Sequence, residues 1–121
     1  MEIWVNPACS KCRAATKALD EAGIEYTERR YLEQPPTRVE ILDVLARLDL
    51  EPWHITRMNE PDAVAVKGLA RDEATRDEWI DALVDHPRLI QRPIITAEDG
   101  TTVVARDAES LESVIDAEMV D

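Results

Sequence analysis

The segment "EIWVNPACSKC", residues 2 to 12, limits the possible fold more than any other stretch of the chain. Glu2 to Val5 reads as a short strand, and Asn6-Pro7 stops it. From Ser10 onward Ala14, Ala15, Ala18, Leu19 and Ala22 recur at helical spacing, and Gly23 closes the run as a C-terminal cap. The only two cysteines, Cys9 and Cys12, therefore lie at a strand-to-helix junction, one helical turn apart.

The rest of the chain extends this beginning into a topology. Ile24, Tyr26 and Tyr31 predict a second strand within residues 24 to 32, and "EQPP" breaks it. Thr37 and Glu40 have capping-box spacing and open a helix with Ile41, Leu42, Leu45 and Leu48 on one face. A second box, Thr75 with Glu78, predicts a helix carrying Trp79, Ile80 and Leu83 that ends at His86-Pro87. Residues 52 to 74 read as short helices and loops. Pro93 precedes "IITA", and a two-residue Asp99-Gly100 turn joins it to "TTVVA" as a hairpin. Asp107 is placed to cap a last helix with Leu111, Val114 and Ile115 inward. The order β-α-β, helices, β-β-α predicts an α/β, thioredoxin-like fold. Its four-stranded mixed sheet would carry flanking helices and a central helical insertion at about residues 37 to 87. With 121 residues, one domain over the whole chain is expected.

Composition narrows the function classes. The chain is 45% hydrophobic and 33% charged, a globular balance. A net charge of −12 argues against nucleic acid, whose backbone needs a basic face. No apolar run approaches the ~20 residues that cross a bilayer, and the start lacks the basic and apolar segments of a secretory signal. A cytoplasmic protein without membrane contact is expected. In a reducing compartment a lone C-x-x-C is more often redox or metal chemistry than a structural staple.

Metal is the weaker of those two readings. Cys9 and Cys12 supply two ligands of about four, and His54 and His86 lack the spacing to complete a zinc site. A nucleophile has a physical reason to sit where Cys9 does, because helix-terminal N–H groups and the positive dipole end favour thiolate. Cys12, one turn in, is either a resolving thiol that attacks an adduct on Cys9 or a buried, inert helix residue. Lys11, between them, is expected to be solvent-screened. Trp4, Trp53 and Trp79 are expected in the core or partly buried, with Trp4 also a candidate for the rim of the cysteine loop.

Among the arginines, Arg57, Arg92 and Arg106 stand where structure breaks: in "HITRMNEP", before Pro93, and at the end of the hairpin. Guanidinium forks suit a tetrahedral oxyanion, and three converging on a thiolate would make a site for one. The motifs "NPACSKCR", "YLEQPPT", "HPRLIQRPI" and "VVAR", in this order, resemble those of the glutaredoxin-coupled arsenate reductases, a superfamily that also holds Spx-type transcription regulators. The resemblance covers nearly the whole chain. It implies a thioredoxin-like fold with Pro93 in the cis form, Cys9 as nucleophile toward arsenate, and Arg57, Arg92 and Arg106 holding the oxyanion. Two departures stand out. Val5 occupies a place where many of these enzymes have histidine, and Cys12 one where those using glutathione often have a non-thiol residue.

The function expected from this resemblance is thiol-dependent reduction of arsenate to arsenite, and Cys12, already within reach of Cys9, is favoured as the resolving thiol. The external reductant would be glutathione or mycothiol with glutaredoxin, or a thioredoxin-type partner. No bound cofactor or metal is implied, and a monomer is expected. The alternatives are an Spx-like redox regulator binding RNA polymerase and a general thiol-disulfide oxidoreductase.

Overall fold

In a computed structural model, which describes residues 1 to 119, the chain forms two compact units. One comprises Met1–Gln34 and the segment from Arg92 onward, and the other Pro35–Gln91.

The first unit carries the sheet. Strand β1 (Glu2–Val5) pairs parallel with β2 (Thr27–Arg30) and antiparallel with β3 (Ile94–Thr96), which pairs antiparallel with β4 (Thr102–Val104). The strand order is β2-β1-β3-β4. Alternation along β1 sends Ile3 and Val5 to one face, where they pack with Ile95 and with Cys12, Ala15 and Leu19 of helix α1 (Ser10–Glu21). Val114 of helix α4 (Ala108–Met119) joins the same cluster. Trp4 and Ile94, opposite each other in register, are buried on the other face. The Trp4 indole N–H donates to Glu2 at 3.0 Å and the ring lies 5.8 Å from the Arg29 guanidinium carbon, so its contacts run along the sheet face.

Local chemistry explains the ends of these elements. Helix α1 closes in a Schellman arrangement: Gly23, at φ 71°, donates to the Asp20 carbonyl and Ile24 donates to that of Leu19. The Asp107 carboxylate accepts from the Ser110 N–H at 2.7 Å, capping α4 as expected. Leu111 and Ile115 are partly buried beside Val114.

Four local expectations are corrected in the sheet and helices, the last being the buried face of the second helix. Strand β2 is shorter than residues 24 to 32, because Ile24 is used in closing α1, and the pairing with β1 begins only at Thr27. The hairpin loop has three residues rather than two. Ala97 donates to the Thr101 carbonyl and Gly100, at φ 92°, donates to that of Ala97, so Glu98, Asp99 and Gly100 form the loop. The third correction is the Thr75–Glu78 box, which belongs to the other unit.

That unit is helical. In α2 (Arg38–Leu48) the Thr37–Glu40 capping box is present in full, and Ile41, Val44 and Leu45 are buried while Leu42 and Leu48 are only partly so. The buried face is therefore turned slightly from the predicted one. Short 3-10 turns at Pro52–Ile55, Pro61–Val66, Glu73–Thr75 and Pro87–Leu89 surround helix α3 (Arg76–Asp85). No side chain caps α3 from Thr75. Asp72 accepts from the Thr75 N–H instead, and the Thr75 hydroxyl donates to the Ala70 carbonyl, so a 3-10 turn feeds directly into α3. Trp79 is buried and donates its indole N–H to Ala70 at 2.8 Å, while Trp53 is half-buried and meets it edge to face. Among the described residues, no helix is long and apolar enough to cross a membrane.

Candidate active site

Cys9 is the N-cap of α1, in extended backbone conformation (φ −87°, ψ 125°). Its N–H is held by the Asn6 carbonyl at 2.9 Å, and its own carbonyl accepts the first helical N–H, from Arg13. Asn6-Pro7 makes this turn: the Asn6 side chain accepts from the Ala8 N–H at 3.0 Å and presets the entry into the helix. The Cys9 sulfur is thereby placed against the N–H groups of Lys11 and Cys12, although neither closes a full cap hydrogen bond. No carboxylate lies in the first turn of α1 to compete for them.

Both cysteines are reduced and buried, and their environments act in opposite directions. Burial works against charge on Cys9. The Cys12 N–H, the Arg92 guanidinium and the Cys12 thiol together outweigh it and lower the pKa to about 7. About half of Cys9 is then thiolate at neutral pH, against a few per cent for an ordinary cysteine of pKa ~8.5. Cys12 is pushed up to about 11, first by burial and then by the neighbouring Cys9 charge, against an opposing contribution from the Asn6 N–H, which donates to its sulfur at 3.5 Å.

Arg92 ends the loop before β3, and its bond to Pro93 is cis. Burial opposes its charge, but the Cys9 sulfur and the Tyr31 phenol, both interacting with the guanidinium, raise its pKa. Its Nε is buried without a hydrogen-bond acceptor among the described residues. Arg106, exposed just after β4, donates from Nη1 to the Arg92 carbonyl at 2.7 Å. Cys9, Cys12, Arg92 and Arg106 thus form one constellation on the sheet unit.

Arg57 belongs to the helical unit. Its N–H donates to the Leu89 carbonyl at 2.7 Å, and its guanidinium is ion-paired with Glu60, both side chains being largely buried. Two participants were missed in the sequence. Tyr31, read as a strand residue, lies beyond β2, is fully buried and interacts with Arg92. Its position at the head of "YLEQPPT" was the available signal. Glu60 was detectable as the fourth residue of "RMNE".

Lys11 is exposed and reaches the thiol only through its backbone N–H. His54 accepts from the Glu51 N–H at 3.1 Å, and His86 lies 3.7 Å from Asp62. Among the described residues, no three His, Cys, Asp or Glu side chains gather as metal ligands.

A thiolate facing a guanidinium at a helix N-terminus, beside a second thiol one turn away, suits nucleophilic attack followed by thiol exchange. Known proteins resemble this chain over most of its length. The chain is 60% identical over 113 residues to an uncharacterized protein in the glnII region of Streptomyces viridochromogenes, covering 92% of this chain and 95% of that one. It is 37% identical over 117 residues to arsenate reductase of Escherichia coli, covering 96% and 82% respectively. The solved structure of arsenate reductase from Vibrio cholerae aligns with a TM-score of 0.69 at 29% identity, over 96% of this chain and 97% of that one, in keeping with the thioredoxin-like fold. The sequence model of the ArsC family matches residues 4–114, and the chain belongs to the ArsC family.

Proposed function

We propose that the protein is an oxidoreductase that reduces arsenate to arsenite, with Cys9 as the nucleophile and Arg92 and Arg106 holding the oxyanion. The observation that carries this reading is the Cys9 thiolate facing Arg92, a guanidinium that keeps one buried donor unused and has Arg106 anchored on its own carbonyl. Relatives named arsenate reductase over nearly the whole chain support it.

In this mechanism the Cys9 thiolate attacks arsenic, a sulfur–arsenic bond forms, and one oxygen leaves as water after protonation. The guanidinium groups offset the oxyanion charge as the adduct forms, a task that matters more in a strongly acidic chain. Once Cys9 carries arsenic its thiolate charge is gone, and one of the two influences that hold Cys12 protonated goes with it. The Asn6 N–H remains to favour the Cys12 thiolate. Cys12 sulfur then attacks Cys9 sulfur, the sulfur–arsenic bond breaks with its electron pair on arsenic, and arsenite leaves behind a Cys9–Cys12 disulfide. An external thiol, either a small molecule with glutaredoxin or a thioredoxin-type protein, restores both thiols.

Fully reduced protein mixed with arsenate and no other thiol tests the sequence of steps. One arsenite per chain with an intact-mass loss of two hydrogens is expected. No arsenite, either alone or after adding glutathione or mycothiol with glutaredoxin, overturns the reading. A general disulfide oxidoreductase would reduce insulin, and its rate would not depend on Arg106.

A further inference from the structure

A groove of about 260 Å³ opens on the sheet unit at the β2 edge, and Cys12 forms part of its wall. Val5 and Pro7 supply apolar surface, Arg13 and Arg30 supply positive charge, and Glu28 supplies one carboxylate. Cys9 does not line it. The volume lies just below the ~300–1,000 Å³ of pockets for drug-sized ligands, so a small molecule fits and a folded partner does not.

The charge in the groove is notable for this chain. Acidic side chains outnumber basic ones by 26 to 14, yet here two arginines face one glutamate. Arg13 is exposed and donates to the Pro7 carbonyl at 3.3 Å, which ties it to the cysteine loop without neutralising it. Arg30 is exposed at the end of β2, and its main chain is fixed by N–H groups of Glu33 and Gln34.

From this geometry we infer that the groove receives a small carboxylate-bearing thiol, which attacks the Cys12 sulfur of the oxidised Cys9–Cys12 pair and expels Cys9. The inference rests on the proposed function only in taking that disulfide as the oxidised state. Cys12 lines the groove and Cys9 does not, so a thiol seated there meets Cys12 first. Cys9 is also the better leaving group, since a thiol of lower pKa leaves faster.

The chemistry balances with two equivalents of thiol. The first, as thiolate, forms a mixed disulfide with Cys12; the Cys9–Cys12 bond breaks and its electron pair leaves as the Cys9 thiolate facing Arg92. The second thiolate attacks the ligand sulfur, forms the small-molecule disulfide and releases Cys12, which takes up a proton given by the incoming thiols. Arg13 and Arg30 attract the carboxylates, and Glu28 suits an ammonium on the same ligand.

The test starts from protein oxidised with diamide, so no arsenate is involved and failure of the arsenate reading leaves the outcome unaffected. Brief treatment with glutathione, acid quench and peptide mass mapping should place glutathione on Cys12. Glutathione found on Cys9 overturns the inference. Reduction rates of wild type and Arg30→Glu are then compared with 3-mercaptopropionate, 2-mercaptoethanol and cysteamine. The variant should slow the anionic thiol about tenfold, leave the neutral one within twofold and speed the cationic one. Equal effects on all three, or none, also overturn it. The neutral thiol reports whether the variant is folded.

Discussion

The two units use arginine differently. In the helical unit four of the six guanidinium groups meet carboxylates: Arg38 with Asp77 and Asp81, Arg47 with Asp43, Arg76 with Glu51, and Arg57 with Glu60. In the sheet unit Arg92 meets a sulfur and a phenol, while Arg106 and Arg13 donate to main-chain carbonyls. A carbonyl positions a guanidinium but leaves its charge intact, whereas a carboxylate cancels it. The same side chain is thus structural in one unit and available to an anion in the other. The three arginines singled out in the sequence fall on both sides of that line, with Arg57 alone neutralised by a carboxylate.

The largest effect that would sharpen this contrast is on the reacting atom. Cys9→Ser should abolish arsenate reduction, at least a ~10³-fold loss, with the melting temperature little changed. Arg92→Ala should lower kcat by about 10²–10³, the cost of one preorganised donor in an oxyanion site. Arg57→Ala and Glu60→Gln, which each unpair a charge within the helical unit, should move arsenate KM by no more than about fivefold, the scale of a ~1 kcal/mol ion pair. An Arg57→Ala loss as large as that of Arg92→Ala would break the comparison. The smallest effect belongs to a purely structural arginine. Arg38→Ala, which unpairs two exposed aspartates, should cost at most about 1 kcal/mol in thermal unfolding and leave activity unchanged.

Much of the scaffold was legible because its signals are local. The strand β1, the glycine that closes α1, the Thr37 box and the Asp107 cap depend on residues within a few positions of one another. The failures have equally local reasons with a competitor nearby. Asp72 takes the Thr75 N–H that the second box would have used, and Gly100 accepts a left-handed conformation that extends the hairpin loop by one residue. The position of Cys9 at the helix N-terminus could be read from spacing. The opposed thiol pKa values could not, because they depend on Arg92, more than eighty residues away, and on burial that only the folded sheet supplies. The partner of Tyr31 was hidden for the same reason.

Cys9 being a thiolate at neutral pH, through the Cys12 N–H and through the Arg92 guanidinium, which meets no carboxylate among the described residues, is the point on which the account depends. Its pKa is lowered, so the anion is present above the transition and lost as pH falls through it. The pH dependence of Cys9 alkylation by iodoacetamide, followed by peptide mass in the reduced protein and in Arg92→Ala, measures it directly. The account predicts a midpoint near pH 7 that moves up in the variant. A midpoint at or above about 8.5 in the unaltered protein, or one that does not move when Arg92 is removed, would contradict it.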